Sequence, residues 1–275
     1  MSDVATPVDP SRPTPPGRVT QLRVAASEWT KLRSLRSTRW SLLVAVVLTI
    51  GLPMLLAAVI ASQWDDLSPS EQLDQSPLDI ALAGAALAQL AVAVLGVLVI
   101  TGEYSTGMIR ASFTAVPKRL PVLWAKAGVF AATVLALMVP SVLIAFFASQ
   151  ALLARDDLLQ ISLSDESVPR VIFGGAVYVT LAGVLALSIG AILRNTAGSI
   201  SAFAALFFVV PPLMNLLPSN WNDAITPYLP SEAGQAMLAT NNADGLSPVA
   251  GLALYVAYIA LGLAVAAVLL LRRDA

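Results

Sequence analysis

The chain is 275 residues long, 57% apolar and 12% charged, whereas soluble domains carry roughly 25% charged residues. Its formal net charge is −1, and it contains no histidine and no cysteine, so disulfides, thiolate ligands and the commonest metal ligand and neutral-pH base are excluded. These features argue against a soluble domain and against serine, cysteine and zinc enzymes of the usual types.

Residues 1–17 contain five prolines among small polar residues, a composition that cannot form a packed core. We therefore predict a disordered tail over 1–17 and one transmembrane domain over 18–275. Across residues 18–39, apolar residues recur at helical spacing with basic residues between them, which predicts an amphipathic helix in the membrane interface. The alternative is that these residues form only a basic flank before the first span. The candidate interfacial residues are Glu28, Trp29, Lys31, Arg33 and Arg36.

Six apolar runs are long enough to cross about 30 Å of hydrocarbon, which takes about 20 helical residues. None of the six contains an internal Asp, Glu, Lys or Arg. The predicted fold class is therefore an all-α integral membrane protein with six transmembrane helices. The predicted bounds are 40–61, 80–100, 127–150, 171–193, 197–217 and 249–271.

The basic residues divide unequally between the two sides of these spans. Fourteen of the sixteen Lys and Arg residues fall on one side, and only Arg155 and Arg170 fall on the other. Basic flanks resist translocation, so this asymmetry predicts that both termini are cytoplasmic. Twelve of the seventeen acidic residues lie on the opposite, outer side.

The cytoplasmic connection between the second and third spans predicts a short helix. Gly102 permits a break from the span, and Pro117 restricts the residue before it from continuing a helix. With Glu103 and Arg110 about two turns apart on one face, such a helix would suit transmission of force from a soluble partner; the alternative is an ordinary charged turn. The candidate coupling residues are Gly102, Glu103, Tyr104, Ser105, Thr106, Gly107, Arg110, Pro117, Lys118 and Arg119.

Two further features concern a path through the membrane. The outer connection 218–248 has apolar stretches too short to span, which predicts short helices dipping into the outer leaflet as a re-entrant element. Gln89 and Asn215 are candidate substrate-path residues inside the spans. The alternative role for such mild polar groups is helix packing.

Residues Ser27 to Ser37, together with Gly102 to Arg110 and Pro117 to Arg119, resemble the permease subunits of ABC-2 type ATP-binding-cassette exporters, particularly those of actinobacteria. The resemblance implies that 18–39 is the family's connecting helix and that about 103–113 is a coupling helix inserted into a cleft of an ATPase subunit. It also implies that 218–248 is the family's re-entrant element. The assembly would contain two permeases, as two copies or as a homologous pair, and two soluble ATPase subunits.

No lysine follows a glycine, so the chain has no phosphate-binding P-loop. We therefore expect a non-catalytic subunit with no cofactor or metal of its own, with ATP and Mg²⁺ on the partner. We expect it in a bacterial cell membrane, in contact with lipid and not with nucleic acid. The alternatives are a secondary transporter, which usually keeps ionisable residues near the midplane, and a membrane anchor or immunity-type protein.

Overall fold

The computed structural model describes residues 20–105, 107, 119–154, 159–240 and 245–272. Within these ranges the chain forms helices joined by turns and bends, and no strand is present. Six helical segments are long and apolar enough to cross a membrane. The protein is therefore an all-helical, multi-pass membrane protein. The predicted tail 1–17 lies outside the described residues.

The helices follow the predicted order. An N-terminal helix, Gln21–Ser34, precedes six spans. Span 1 is Arg36–Gln63, span 2 is Pro77–Leu82 followed by Ala85–Ser105, span 3 is Arg119–Leu153, span 4 is Val168–Leu193, span 5 is Thr196–Met214 and span 6 is Pro248–Arg272. Short helices Trp64–Asp66, Pro69–Leu73, Ser219–Ile225, Thr226–Tyr228 and Pro230–Gln235 lie in the connections.

Most of these helices run beyond the predicted apolar runs, because backbone hydrogen bonding does not stop at the edge of the hydrocarbon. Span 3 begins at Arg119 rather than at residue 127. Lys126, which the sequence places just outside span 3, therefore lies about two turns inside its helix.

The N-terminal helix is shorter than predicted, and one of its faces packs against the other helices. It ends at Ser34, and the extended backbone of Leu35 (φ −77°, ψ 129°) separates it from span 1. Its buried residues follow the spacing i, i+4, i+8, which places them on one side of a helix. They are Val24, Glu28 and Leu32. Trp29, one of the predicted interfacial residues, is 47% exposed.

Spans 2 and 4 form the centre of the bundle. In span 4, 72% of the most apolar stretch is buried, against 17% in span 5. A Cβ atom added at Gly96 of span 2 would lie 2.3 Å from the carbonyl oxygen of Gly183 in span 4. The two backbones therefore touch where neither residue has a side chain, as small residues allow in membrane bundles.

Side-chain contacts define two ends of this bundle. At the first, here called the basic end, Gln21 donates to the carbonyl of Pro121, and Thr196 at the start of span 5 donates to Thr101 of span 2. At the other, here called the acidic end, Tyr258 of span 6 donates to the carbonyl of Tyr228. The N-terminal helix lies at the basic end, and the connections after spans 1, 3 and 5 lie at the acidic end.

The predicted helix break at Gly102 is wrong. Span 2 continues through Gly102 to Ser105, and glycine inside a helix costs only about 1 kcal/mol relative to alanine. The left-handed residue is Gly107, at φ 71°, and its N–H donates to the carbonyl of Tyr104. The rest of the predicted coupling helix lies outside the described residues.

Span 5 ends earlier than predicted, at Met214 rather than at residue 217. Pro211 and Pro212 have no N–H to donate to the carbonyls four residues earlier, at Phe207 and Phe208. A π-helical turn occupies Ala205–Val209 at this place. The helix is therefore irregular over its last two turns.

The first prediction concerns the contact between spans 2 and 4. Gly96→Ala places a Cβ against backbone, and overpacking of this kind costs roughly 1–3 kcal/mol. We expect a lower midpoint of thermal unfolding in detergent micelles for this variant.

The matched control is Gly128→Ala in span 3, where an added Cβ meets nothing within 4 Å. This variant should be neutral or more stable, because alanine is the better helix former. Equal loss of stability in both variants would contradict the packing described here.

Candidate functional site

Four charged side chains from three helices meet at the basic end and form what we call the ionic junction: Glu28, Lys31, Glu103 and Lys126. The Nζ of Lys126 lies 2.5 Å from Glu28 Oε2 and 2.9 Å from Glu103 Oε1. The Nζ of Lys31 lies 2.7 Å from Glu28 Oε1 and 3.0 Å from Glu103 Oε1. Each lysine therefore bridges the same two carboxylates.

Each member of the ionic junction is positioned by its helix. Glu28 lies in the buried face of the N-terminal helix, Glu103 in the last turn of span 2 and Lys126 in the second turn of span 3. One turn before Glu28, Val24 packs with Val122 and Ala125 of span 3 in a small apolar cluster. This apolar contact holds the N-terminal helix in register with span 3.

Charge balance makes the burial of the ionic junction possible. Glu28, Glu103 and Lys126 are 4%, 6% and 3% exposed, and an isolated buried charge costs several kcal/mol. Two carboxylates and two ammonium groups offset that cost together. Burial by itself lowers the pKa of Lys31, but its hydrogen bonds to Glu28 and Glu103 outweigh this effect and hold that pKa above its ordinary value.

The last turn of span 2 also contacts the turn between spans 4 and 5. The guanidinium of Arg194 lies 4.9 Å from the centre of the Tyr104 ring, which is cation–π distance. One turn earlier, the hydroxyls of Thr196 and Thr101 lie 2.8 Å apart. The end of span 2 thus joins the N-terminal helix, span 3 and the turn between spans 4 and 5.

The structure brings together four of the predicted coupling and interfacial residues at this end: Glu28, Lys31, Glu103 and Tyr104. Trp29, Arg33 and Arg36 are exposed. Ser105 is the last helical residue of span 2, Arg119 is the first of span 3, and Thr106, Arg110, Pro117 and Lys118 lie outside the described residues.

Sequence reasoning missed Lys126 as a functional candidate. A signal was present, because Glu28 and Glu103 are two of only five acidic residues on the predicted cytoplasmic side and both adjoin apolar segments. Buried carboxylates require cationic partners. The sequence alone could not show which lysine supplies them.

A cavity of about 1080 Å³, here called the acidic cavity, lies at the acidic end. Spans 2, 4 and 5 contribute to its wall, and so do the short helices between spans 5 and 6. Gln89 and Asn215, the two predicted substrate-path residues, both line it. The structure thus places in one cavity wall two residues that are far apart in the sequence.

The polar part of the cavity wall is negatively charged. Asp79, Asp223 and Glu232 line it, and among the described residues no Lys or Arg does. Arg170 lies beside this wall, where its guanidinium donates to the carbonyls of Met237 and Ala239. Burial raises the pKa of the Glu232 carboxyl above its ordinary value.

A scan against protein-family models found no match, and a search of the curated proteins found none either. The function is therefore argued from the ionic junction and the acidic cavity.

The second prediction concerns Lys126. Lys126→Met leaves two buried carboxylates with only the half-exposed Lys31, and loss of one partner of a buried pair typically costs about 3–5 kcal/mol. We expect Lys126→Met to destabilise the docking of the N-terminal helix more than Lys31→Met does.

Because the chain has no cysteine, formation of a disulfide in the double variant Val24→Cys, Val122→Cys reports the docking of the N-terminal helix on span 3 directly. Crosslinking should fall in Lys126→Met and persist in Arg23→Gln, which alters an exposed cation on the same helix.

The third prediction concerns Glu232 and pH. Its raised pKa means that the carboxylate ionises less readily in the folded than in the unfolded protein. The neutral carboxyl therefore favours folding at low pH, and that benefit is lost as pH rises through the pKa of the unfolded state, about 4.3, to the higher folded value. At neutral pH, Glu232→Gln should unfold at a higher temperature than wild type, and the difference should vanish below about pH 4.

For this pH experiment, Asp74→Asn removes an exposed carboxylate outside the cavity wall and controls for the change in net charge. A difference between Glu232→Gln and wild type that is independent of pH would contradict the burial effect.

Proposed function

We propose that this chain is the permease subunit of an ATP-driven exporter of the ABC-2 type. It forms the membrane path with a second permease subunit, while a separate soluble ATPase dimer binds ATP and Mg²⁺. In this proposal the basic end faces the cytoplasm of a bacterial cell, in accordance with the positive-inside rule. The N-terminal helix then lies at the membrane interface, with its exposed Trp29 at headgroup level.

The observation that carries the proposal is the ionic junction. Segment 106–118 is the proposed contact with the ATPase, and it connects Glu103 at the end of span 2 to the first turns of span 3, where Lys126 lies. A displacement of this segment would act on both residues at once, and through them on the N-terminal helix. The contact of Tyr104 with Arg194 would extend the displacement to spans 4 and 5.

The acidic cavity supports a transport role at the other end of the same helices. The continuous helix Ala85–Ser105 of span 2 carries Glu103 in its last turn and the cavity residue Gln89 near its start, roughly 21 Å apart at about 1.5 Å per residue. Movement imposed at the ionic junction therefore has a rigid element through which to reach the cavity.

The fourth prediction tests the partner. The tagged full-length chain, purified in mild detergent from its native membrane, should co-elute with a soluble ATPase near one-to-one stoichiometry, and ATP hydrolysis should depend on the chain. Transport activity without any ATPase would favour the secondary transporter, and the absence of both would favour the anchor.

Two variants separate contact with the ATPase from transmission of force. Arg110→Glu, in the proposed contact, should lose the co-eluting ATPase. Lys126→Met, in the ionic junction, should retain the ATPase but transport less cargo per ATP hydrolysed. Arg23→Gln should behave as wild type in both assays, and loss of ATPase binding in Arg23→Gln as well would overturn the assignment of the contact.

A further inference from the structure

The wall of the acidic cavity has an apolar part and a polar part. Leu82, Phe207 and Phe208 contribute apolar and aromatic surface, while carboxylates, amides and hydroxyls contribute polar groups. A volume of about 1080 Å³ is at the upper end of the roughly 300–1,000 Å³ of sites for drug-sized ligands. The cavity therefore has room for an organic molecule with a substantial apolar body.

The charge of the wall favours a cation. Asp79, Asp223 and Glu232 contribute negative charge, and no cationic side chain is among the described lining residues. Arg170 lies beside the wall, but its guanidinium donates to the carbonyls of Met237 and Ala239. Burial raises the pKa of Glu232, and the hydrogen bond to Ser231, which acts in the opposite direction, offsets this effect only in part. A cationic ligand in the cavity would offset the remainder of this effect.

Gln89 provides a second, independent observation. It is only 4% exposed and lies in the cavity wall, where its side chain hydrogen-bonds Tyr178, while its Oε1 has no hydrogen-bond partner among the described residues. A buried acceptor without a donor costs about 1–3 kcal/mol. A ligand that carries N–H groups would satisfy this oxygen, whereas an anion or a quaternary ammonium would not.

The arrangement does not suit a bare metal ion. Within the part of the chain that the structure describes, no three carboxylates come together closely enough to hold one. Carboxylates beside an apolar and aromatic surface instead match an organic ligand that carries a cationic group on an apolar body.

We infer that the acidic cavity binds amphipathic organic amines, in which a protonated amine is attached to an apolar body. The ammonium group pairs with Asp223 and Glu232 and donates to Gln89, and the apolar body contacts Phe207 and Phe208. The inference that the cavity binds such amines does not depend on the proposed transport function. That such amines are the exported cargo rests on the proposed function.

The fifth prediction uses two fluorescent probes that share one aromatic body and alkyl chain, one with a terminal ammonium group and one with a neutral amide in its place. Monodansylcadaverine carries a primary ammonium on an aromatic body, and N-acetyl-monodansylcadaverine is its neutral counterpart. Both are titrated by fluorescence anisotropy against the purified full-length chain in micelles of an uncharged detergent, with empty micelles as the blank. We expect the amine to bind at least about tenfold more tightly, which corresponds to about 1.4 kcal/mol.

The variants locate the site. Asp223→Asn, Glu232→Gln and Gln89→Leu should each weaken amine binding by roughly tenfold, the effect of about 1.4 kcal/mol, while Asp74→Asn should leave it unchanged. Equal affinity for the two probes, or unchanged affinity in both Asp223→Asn and Glu232→Gln, would overturn the inference. The comparison of the two probes on the wild-type chain tests the preference for the amine even if a variant does not fold.

This assay contains no ATPase, so its outcome is separable from that of the exporter proposal. Failure to prefer the amine, with an ATPase still co-eluting, overturns only the amine inference. Selective amine binding by a chain that recruits no ATPase supports amine binding in the acidic cavity and overturns the exporter proposal.

Discussion

The basic end of this protein depends on one interaction, the mutual neutralisation of four charges away from water. Glu28 and Lys126 are 98 residues apart in the chain, yet neither can be buried without the other, because an unpaired charge in that environment costs several kcal/mol. The N-terminal helix is therefore positioned by spans 2 and 3 as well as by its own affinity for an interface. This requirement makes three separate helix ends behave as one unit.

Spans 2 and 4 connect that unit to the acidic cavity. They lie in the most buried part of the bundle, and their backbones touch at Gly96 and Gly183, where side chains cannot intervene. Helices packed this closely move together or slide as units, since packed interiors have low compressibility. A mechanism that acts at one end therefore has a mechanical route to the other, and this is what a transporter driven by a soluble ATPase requires.

The wall of the acidic cavity differs from the ionic junction in its charges and in its backbone. Its wall contains a carboxylate whose ionisation is disfavoured by burial, an amide oxygen without a donor, and aromatic residues from a π-helical turn ahead of two prolines. Each feature weakens the unliganded fold, and such features concentrate at functional sites. In the ionic junction, each charged group has an opposite charge within 3.0 Å, and Glu103 Oε2 is the one carboxylate oxygen of the junction without a hydrogen-bond partner among the described residues. The two ends of the molecule thus differ in their charges: opposite charges pair at the basic end, whereas carboxylates line the cavity at the acidic end.

The sequence by itself determined the six spans, their order and the unequal distribution of basic residues, because the length of an apolar run is a local property set by the thickness of a bilayer. It also placed Glu28, Lys31 and Glu103 among the candidate interfacial and coupling residues. Only the tertiary structure decided that Lys126 joins them, that span 2 continues past Gly102, and that Gln89 and Asn215 line one cavity. These outcomes depend on contacts between residues far apart in the chain, and helical periodicity carries no information about which distant groups meet.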